Sequence, residues 1–187
     1  MKLDTITNKK PVKDGVNPND EFYTPRYAIE PLLRYLKPKS EILCPFDTEE
    51  SLYVKILKAN GHYVQAEHIK DGNDFFKRSQ DSLEFYDYII SNPPYSKKTE
   101  VLEKLFYATV PFAMLVGVVG LFESKDRFNL FKENDFELMY FDKRVSFMRD
   151  YTSGKTELNP PFSSVYVCNN VLPKQIVFEK IDKKIIL

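Results

Sequence analysis

A regular alternation of short apolar runs with amphipathic segments is the feature that most constrains how this chain folds. Apolar runs predict buried strands, and segments with apolar residues at helical spacing predict helices between them. The predicted strands are 41–45, 62–66, 85–91, 113–119 and 136–141. The predicted helices are 25–37, 48–59, 98–109 and 124–134. Strands that alternate with helices form a mostly parallel sheet covered on both faces, so the chain is predicted to be an α/β protein.

The predicted fold changes character near its C-terminal end. Beyond Lys143 the pattern becomes short strands and turns, which predicts an antiparallel C-terminal hairpin. A length of 187 residues predicts one domain, and 15 Phe and 12 Tyr are ample for its core. Residues 1–19 are polar and are predicted to form a flexible arm. Residues 20–187 are then expected to form a single domain, with no separate domain for recognising a target sequence.

Charge and cysteine content limit the partners and the setting. Basic and acidic residues balance at 27 each, so any contact with nucleic acid must come from local basic patches. Cys44 and Cys168 stand far apart without metal-ligand spacing, so no metal site is expected. The longest apolar run, 113–122, is too short to cross a bilayer, and the sequence begins with no signal-peptide pattern. These features predict a reduced, cytoplasmic setting and no membrane partner.

The segment Ser91-Asn92-Pro93-Pro94-Tyr95 is the strongest functional signal, because it directly follows the apolar run 86–90. A turn at the carboxyl end of a buried strand opens into the crevice where α/β sheets bind ligands. The Asn92 side-chain oxygen and the next carbonyl oxygen can accept both hydrogens of one planar NH₂ group. The prolines restrict the backbone, and Tyr95 offers a flat face for stacking. The alternative interpretation is a structural turn rich in proline.

A second copy of the pattern, Asn159-Pro160-Pro161-Phe162, provides an internal comparison. It follows the polar stretch 150–158 and leads into the strand-like residues 165–167 instead of a helix. Two prolines that enter a strand are typical of a turn or a sheet edge. We therefore assign the chemistry to the first copy and a structural role to the second.

The first copy resembles the Asn-Pro-Pro-Tyr signature of S-adenosylmethionine-dependent amino-methyltransferases, chiefly those acting on the exocyclic amine of adenine. Other segments between Glu21 and Val167 resemble motifs of the adenine-specific DNA methyltransferases. Their order, with cofactor motifs before the catalytic motif, resembles the gamma-type arrangement and particularly the compact phage-encoded enzymes. The resemblance implies a Rossmann-like methyltransferase fold, S-adenosylmethionine as cofactor, and DNA, or else RNA, as partner.

The resemblance also implies roles for individual residues. The implied catalytic residues are Asn92, Pro93, Pro94 and Tyr95. Phe147 falls where the family carries an aromatic residue that, with Tyr95, sandwiches the extruded base. The implied cofactor-binding residues are Phe22, Tyr23, Thr24, Pro25, Cys44, Pro45, Phe46, Asp47, Asp74 and Phe75. Glu67, at the end of the second predicted strand, is expected to contact the cofactor's ribose hydroxyls, as in dinucleotide folds.

Several of these residues also fit ordinary structural roles. Phe22 and Tyr23 fit a hydrophobic staple before a helix, and Asp74 fits a helix cap. Glu67 fits a solvated surface charge, and Phe147 fits a core position. Both interpretations stay open for each of these residues at the level of sequence.

The first-strand motif departs from the family's pattern. That pattern has an acidic residue, a proline and then glycines, which let the methionine part of the cofactor lie against the backbone. Here Cys44 stands at the acidic position and residues 47–51 contain no glycine. Thr48 is predicted to cap the following helix, and Asp47 to bind the cofactor's ammonium group. Weak or lost cofactor binding is the alternative.

The predicted reaction is direct methyl transfer, in which Asn92 and the Pro93 carbonyl accept the two amine hydrogens while Tyr95 stacks on the base. An adenine in a duplex must first be flipped out of the stack. Lys97 and Lys98 are candidates for phosphate contacts. The same motif serves enzymes that methylate RNA bases or a glutamine in a protein. The missing glycines leave a catalytically inactive binding module as a further alternative.

Overall fold

The computed structural model describes residues 22–152 and 154–187, so the arm predicted over residues 1–19 lies outside the described residues. The helices are α1 (Arg26–Leu33), α2 (Leu52–Ala59), α3 (Gln80–Leu83), α4 (Lys98–Ala108) and α5 (Lys125–Glu133). The first strands are β1 (Glu41–Cys44), β2 (Tyr63–Ala66), β3 (Tyr88–Ser91), β4 (Phe112–Gly117) and β5 (Glu137–Phe141). The later strands are β6 (Phe147–Met148), β7 (Thr156–Leu158), β8 (Ser164–Asn169) and β9 (Ile176–Glu179). Single 3₁₀ turns occur at Ile69–Asp71, Phe75–Lys77 and Tyr95–Lys97.

Seven strands form one mixed sheet in the order β2-β1-β3-β4-β8-β5-β9. The first four are parallel neighbours, as helical connections between strands require. Strand β8 is antiparallel to both β4 and β5, and β9 is parallel to β5. Strands β6 and β7 form a separate antiparallel pair. The antiparallel pairing predicted near the C-terminal end is therefore divided between the β6–β7 hairpin and strand β8.

Apolar side chains pack on both faces of the sheet because successive strand residues point to opposite sides. In β3, Ile90 packs into the core that contains the apolar residues of α1 and α2, whereas Ile89 packs into the core that contains those of α4. Every residue of β3 and β4 is buried, which is typical of central strands covered on both faces. The predicted alternation of strands and helices is thus present in the described chain.

Two helix starts differ from the predicted positions. Pro25 is the extended residue that precedes α1, with ψ of 154°, and not its first helical residue. Helix α2 begins at Leu52 and not at Thr48, because Ser51 supplies the cap: its Oγ accepts a hydrogen bond from a backbone N–H of the first turn at 3.2 Å. Residues 48–51 instead form a turn. The connection between β1 and α2 is therefore longer than the sequence predicts.

The carboxyl ends of β1, β2, β3 and β4 lie at one edge of the sheet, since these strands are parallel. The chain before α1 reaches the same region through an antiparallel bridge between Tyr23 and Met148 of β6. This edge is where an α/β sheet binds ligands. Within the described residues, no helix is both long enough and apolar enough to cross a membrane.

Candidate active site

A cleft of about 490 Å³ opens beyond the carboxyl ends of β1, β2 and β3. Its walls come from the segment before α1, the loops after β1 and β2, the turn after β3, and Tyr151. A volume of this size is in the range of small-molecule sites, which are typically ~300–1,000 Å³. Most of the residues that the sequence assigns to cofactor and substrate meet here: Phe22, Tyr23, Thr24, Pro45, Phe46, Asp47, Asp74, Phe75, Asn92 and Pro94.

Asn92 presents an acceptor atom without a partner. Its Nδ2 donates a hydrogen bond to the Phe22 carbonyl oxygen at 2.9 Å, which fixes the orientation of the amide. Its Oδ1 is buried and accepts no hydrogen bond from any described residue. A buried acceptor without a donor costs ~1–3 kcal/mol, so such atoms are uncommon and call for an explanation. Here a donor on a bound ligand would remove that cost.

Tyr95 lies in an aromatic cluster rather than on the wall of the cleft. The Phe22 ring stacks on it at 5.2 Å between centroids and 30° between planes. Phe162 packs against it at 5.7 Å and 52°. Burial raises the pKa of the Tyr95 phenol, which therefore stays neutral, and its hydroxyl lies 3.5 Å from Ser164 Oγ. A base can stack on Tyr95 only after Phe22 moves aside.

Phe147 occupies the core position that was the alternative to a base-stacking role. Its side chain is 0% exposed and packs edge-on toward Tyr95 at 6.4 Å, with Phe22 at 5.2 Å on another side. Strand β6 points the ring inward, so it supports the aromatic cluster from below. As placed, Phe147 has no free face for an extruded base.

The second Asn-Pro-Pro copy contributes to the first through its aromatic residue. Asn159 is exposed, and the copy forms the turn before β8, in line with its predicted structural role. Phe162, however, packs on Tyr95 and fills the space beside Gly117, where a Cβ atom would lie 2.8 Å from Phe162 Cε2. The sequence offered no signal for this contact, because the two copies are joined only through the pairing of β4 with β8.

Asp47 is a buried carboxyl held by two serines. Ser51 Oγ donates to Oδ1 at 2.5 Å, and Ser91 Oγ donates to Oδ2 at 2.5 Å. Burial raises the pKa of Asp47 to about 6, and the hydrogen bonds from Ser51 and Ser91 offset part of this rise. At neutral pH the cleft therefore contains a desolvated negative charge. Ser51 Oγ also lies 3.4 Å from the hydroxyl of Tyr151, another lining residue that the sequence did not indicate.

Asp74 combines the two roles that the sequence left open. Its Oδ1 accepts a hydrogen bond from the Phe76 backbone N–H at 3.0 Å and so caps the 3₁₀ turn, while the residue also lines the cleft. Phe75 packs edge-on against Phe46 at 5.2 Å. Two half-exposed apolar side chains, Ile69 and Phe76, complete this wall and were not predicted.

Other predicted cofactor contacts lie outside the cleft. The Glu67 carboxylate is buried in an ion pair with Arg78 and also accepts from Gln65 Nε2 at 2.7 Å, so its oxygens are occupied. The Cys44 side chain is fully buried in the core, and burial holds its pKa well above the usual value, so the thiol stays neutral. Pro25 is buried at the start of α1, and Pro93 is buried behind the turn.

The two lysines proposed for phosphate contacts are partly engaged. Lys97 lines the cleft and forms an exposed ion pair with Glu100 at 3.2 Å, which phosphate can easily replace. Lys98 Nζ donates to the Val119 carbonyl oxygen at 2.8 Å, so this side chain supports the loop after β4. Of the two, Lys97 has the better position to meet a ligand.

No protein-family model matches the chain, and no curated protein sequence matches it. Among solved structures, it is similar to a modification subunit of a putative type I restriction enzyme from Vibrio vulnificus YJ016, with a TM-score of 0.51 and 13% identity. The match covers 89% of this chain and 48% of that subunit, so the chain spans about half of the subunit's length. A precorrin-6y C5,15-methyltransferase from Geobacter metallireducens GS-15 gives a TM-score of 0.43 and 12% identity, over 81% of this chain and 93% of that one.

The similarity to the modification subunit, together with the mostly parallel sheet, confirms the predicted fold class. The chain has an α/β, Rossmann-like methyltransferase fold. At 13% identity the similarity concerns the fold, and the chemistry must be argued from the cleft.

Proposed function

We propose that the chain is an S-adenosylmethionine-dependent methyltransferase whose substrate is the exocyclic amine of adenine in DNA. The observation that carries the proposal is Asn92 Oδ1, a buried acceptor for which the described residues supply no donor. It stands in a proline-restricted turn at the ligand-binding edge of the sheet. An amine with two hydrogens matches this acceptor and the adjacent Pro93 carbonyl oxygen.

The size of the cleft and the chemistry of its walls fit S-adenosylmethionine. Phe46, Phe75 and Phe76 offer apolar contact for the adenine ring, and the Asp74 carboxylate is an acceptor beside them. The desolvated Asp47 carboxylate offers a counter-charge for the ammonium group. When bound, the cofactor supplies an electrophilic methyl group on a sulfonium. The cleft is open despite the missing glycines, because the loop after β1 extends to Ser51 before α2 begins.

The chain's own contribution to the reaction is positioning and electrostatics. Asn92 Oδ1 and the Pro93 carbonyl oxygen each accept one amine hydrogen, which favours a tetrahedral nitrogen with its lone pair free to attack. The methylated amine then releases its extra proton to solvent, so no general base is needed. An incoming base takes the place of the Phe22 ring on Tyr95, since that face is the one covered by a residue outside the turn.

The test is labelled-methyl transfer to DNA, RNA and protein side by side, with calorimetric titration of S-adenosylmethionine. We expect the Asn92→Ala variant to lose transfer by more than ~100-fold, because it removes an acceptor that acts on the transition state. Cofactor affinity should stay nearly unchanged, since the lost contact belongs to the substrate amine. Asn159→Ala, in the exposed second copy, is the matched control and should transfer at the wild-type rate.

The outcomes separate the alternatives. No heat and no thermal shift at millimolar cofactor would overturn the enzyme and favour a binding module of the same fold. Label that enters only RNA, or only a glutamine of the protein substrate, would overturn the DNA assignment and keep the role of Asn92. Equal losses in folded Asn92→Ala and Asn159→Ala proteins would contradict the choice of the first copy.

A further inference from the structure

The buried carboxyl of Asp47 connects two parts of the cleft that the chain reaches far apart in sequence. Asp47 belongs to the loop after β1, on the cofactor side, and Ser91 is the last residue of β3. Their 2.5 Å hydrogen bond therefore spans the boundary between that loop and the Asn92 turn, residues 92–95. The next residue after Ser91 carries the unpartnered acceptor, so the contact holds the turn at its first residue.

The contact is costly in a way that a purely structural link need not be. Asp47 is buried, and among the described residues its pKa is governed by burial and by the Ser51 and Ser91 hydroxyls, with no cation in that balance. A neutral amide would satisfy one serine hydroxyl without a desolvated charge. Groups with strongly shifted pKa values that face a cleft cluster at functional sites. The geometry and the charge together thus favour a functional reason for a carboxylate here.

We propose that Asp47 is a positioning residue, whose ionised carboxylate fixes the Asn92 turn through the Ser91 hydroxyl. Its effect on rate rests on the proposed methyl transfer, but its effect on the turn does not. With both oxygens ionised, Ser51 and Ser91 can donate at the same time. A protonated Asp47 carries an O–H that must itself donate, so one serine hydroxyl loses its acceptor or reverses, and the start of the turn loosens.

Other titratable groups face Asp47 and must be separated from it. Burial raises the pKa of the neighbouring thiol and phenols, which are neutral through the window in which Asp47 titrates: Cys44, Tyr53, Tyr151 and Tyr166. The Glu67 carboxylate on the adjacent loop is paired with Arg78. Charged or titratable side chains on the walls of the cleft are His68, Lys70, Asp74 and Lys97. Because His68 can titrate in the same range, the Asp47→Asn variant provides the baseline.

The kinetic test compares the two serines that hold the same carboxylate. Ser91→Ala breaks the link to the Asn92 turn, whereas Ser51→Ala breaks a bond of equal length that leads into α2. We expect Ser91→Ala to lower kcat by ~10- to 100-fold with little change in the cofactor KM, because a displaced acceptor misorients the amine. Ser51→Ala should lower kcat much less. Wild-type kcat should fall as pH drops below about 6, and Asp47→Asn should show a lower kcat without that fall.

A second measurement does not depend on activity or on the serine variants folding. The Asn92 side-chain amide cross-peaks, assigned in labelled wild-type protein by their loss in Asn92→Ala, should shift between pH 5 and 7.5 with a midpoint near 6. The shift should disappear in Asp47→Asn. The Asn134 amide, which donates to the Leu130 carbonyl oxygen at the end of α5, is the control and should not move.

These measurements distinguish the positioning role from the proposed reaction. An Asn92 amide that titrates in a protein without methyl transfer would overturn the reaction and support the link. Methyl transfer with an Asn92 amide that does not titrate would overturn the link and support the reaction. Equal falls in kcat for Ser91→Ala and Ser51→Ala would also overturn it, because the carboxylate would then act through the fold in general.

Discussion

At the scale of single residues, Asp47 and Asn92 both carry unmet demands within the same cleft. Asp47 is a buried charge held by serines, and Asn92 Oδ1 is a buried acceptor with no donor among the described residues. Folding gains nothing from either, since both groups would be better solvated in an unfolded chain. Each demand can be met by a ligand, one by a cation and the other by an amine. This pairing of unmet groups is why the cleft, and not the fold, supports the functional proposal.

The first prediction at this scale is that Asp47→Asn stabilises the protein at neutral pH. The pKa of Asp47 is raised from 3.8 to about 6 on folding, so the protonated form favours the folded state. That contribution is fully present below pH ~3.8 and is lost as pH rises through about 6. Wild type should thus lose up to about 3 kcal/mol of unfolding free energy between these limits, relative to Asp47→Asn.

Denaturant unfolding at pH 4.5 and at pH 7.5 checks this expectation. The stability gain of Asp47→Asn should be much larger at the higher pH. Asp81→Asn, at an exposed carboxyl of α3, is the control and should give a similar small change at both values. A destabilised Asp47→Asn protein at pH 7.5 would mean that the carboxylate is stabilised by contacts stronger than its desolvation.

At the scale of elements, the pairing of β4 with β8 brings the two Asn-Pro-Pro copies together. Gly117 ends β4 opposite Ser164, which begins β8, and Phe162 lies across the glycine. The ring then reaches Tyr95 from the side opposite to its predicted role as a simple turn residue. A local turn and a long-range strand pair thereby set the position of the aromatic cluster under the Asn92 turn.

The prediction for this element pair is that Gly117→Ala displaces Phe162. An added Cβ would lie 2.8 Å from Phe162 Cε2, so the ring must shift, and overpacking of this kind costs ~1–3 kcal/mol of unfolding free energy. Denaturant unfolding of Gly117→Ala, Phe162→Ala and the double variant measures the coupling. The glycine substitution should cost clearly less when Phe162 is already absent. Additive losses would show that another neighbour of Gly117 is responsible.

At the scale of the whole molecule, the described chain is one continuous sheet with a single large cleft at its ligand-binding edge. It corresponds to about half of the type I modification subunit that it resembles in fold. Its basic and acidic residues balance at 27 each. Such a chain has little long-range attraction for a duplex, so local contacts and stacking must offset the cost of base flipping.

The prediction at this scale is that the state of the target base controls the rate of methyl transfer. Removing a base from its stack and its pair costs a few kcal/mol, and that cost is partly absent for an unpaired or mismatched adenine. Initial rates should therefore be higher for a single-stranded or mismatched adenine than for the same adenine in a matched duplex. Oligonucleotides of identical target-strand sequence isolate the effect. Equal rates would indicate that flipping does not limit the reaction.

The sequence by itself determined the layered α/β architecture, because apolar periodicity is a local property that survives in any tertiary context. It also placed Asn92 at a strand end and gathered most of the cleft residues through the order of their motifs. Only the tertiary structure decided which neighbours these residues have. Glu67 meets Arg78, Phe147 is enclosed by the core, and Phe162 reaches Tyr95. Contacts of this kind depend on strand pairing and side-chain packing between distant segments, which no local pattern encodes.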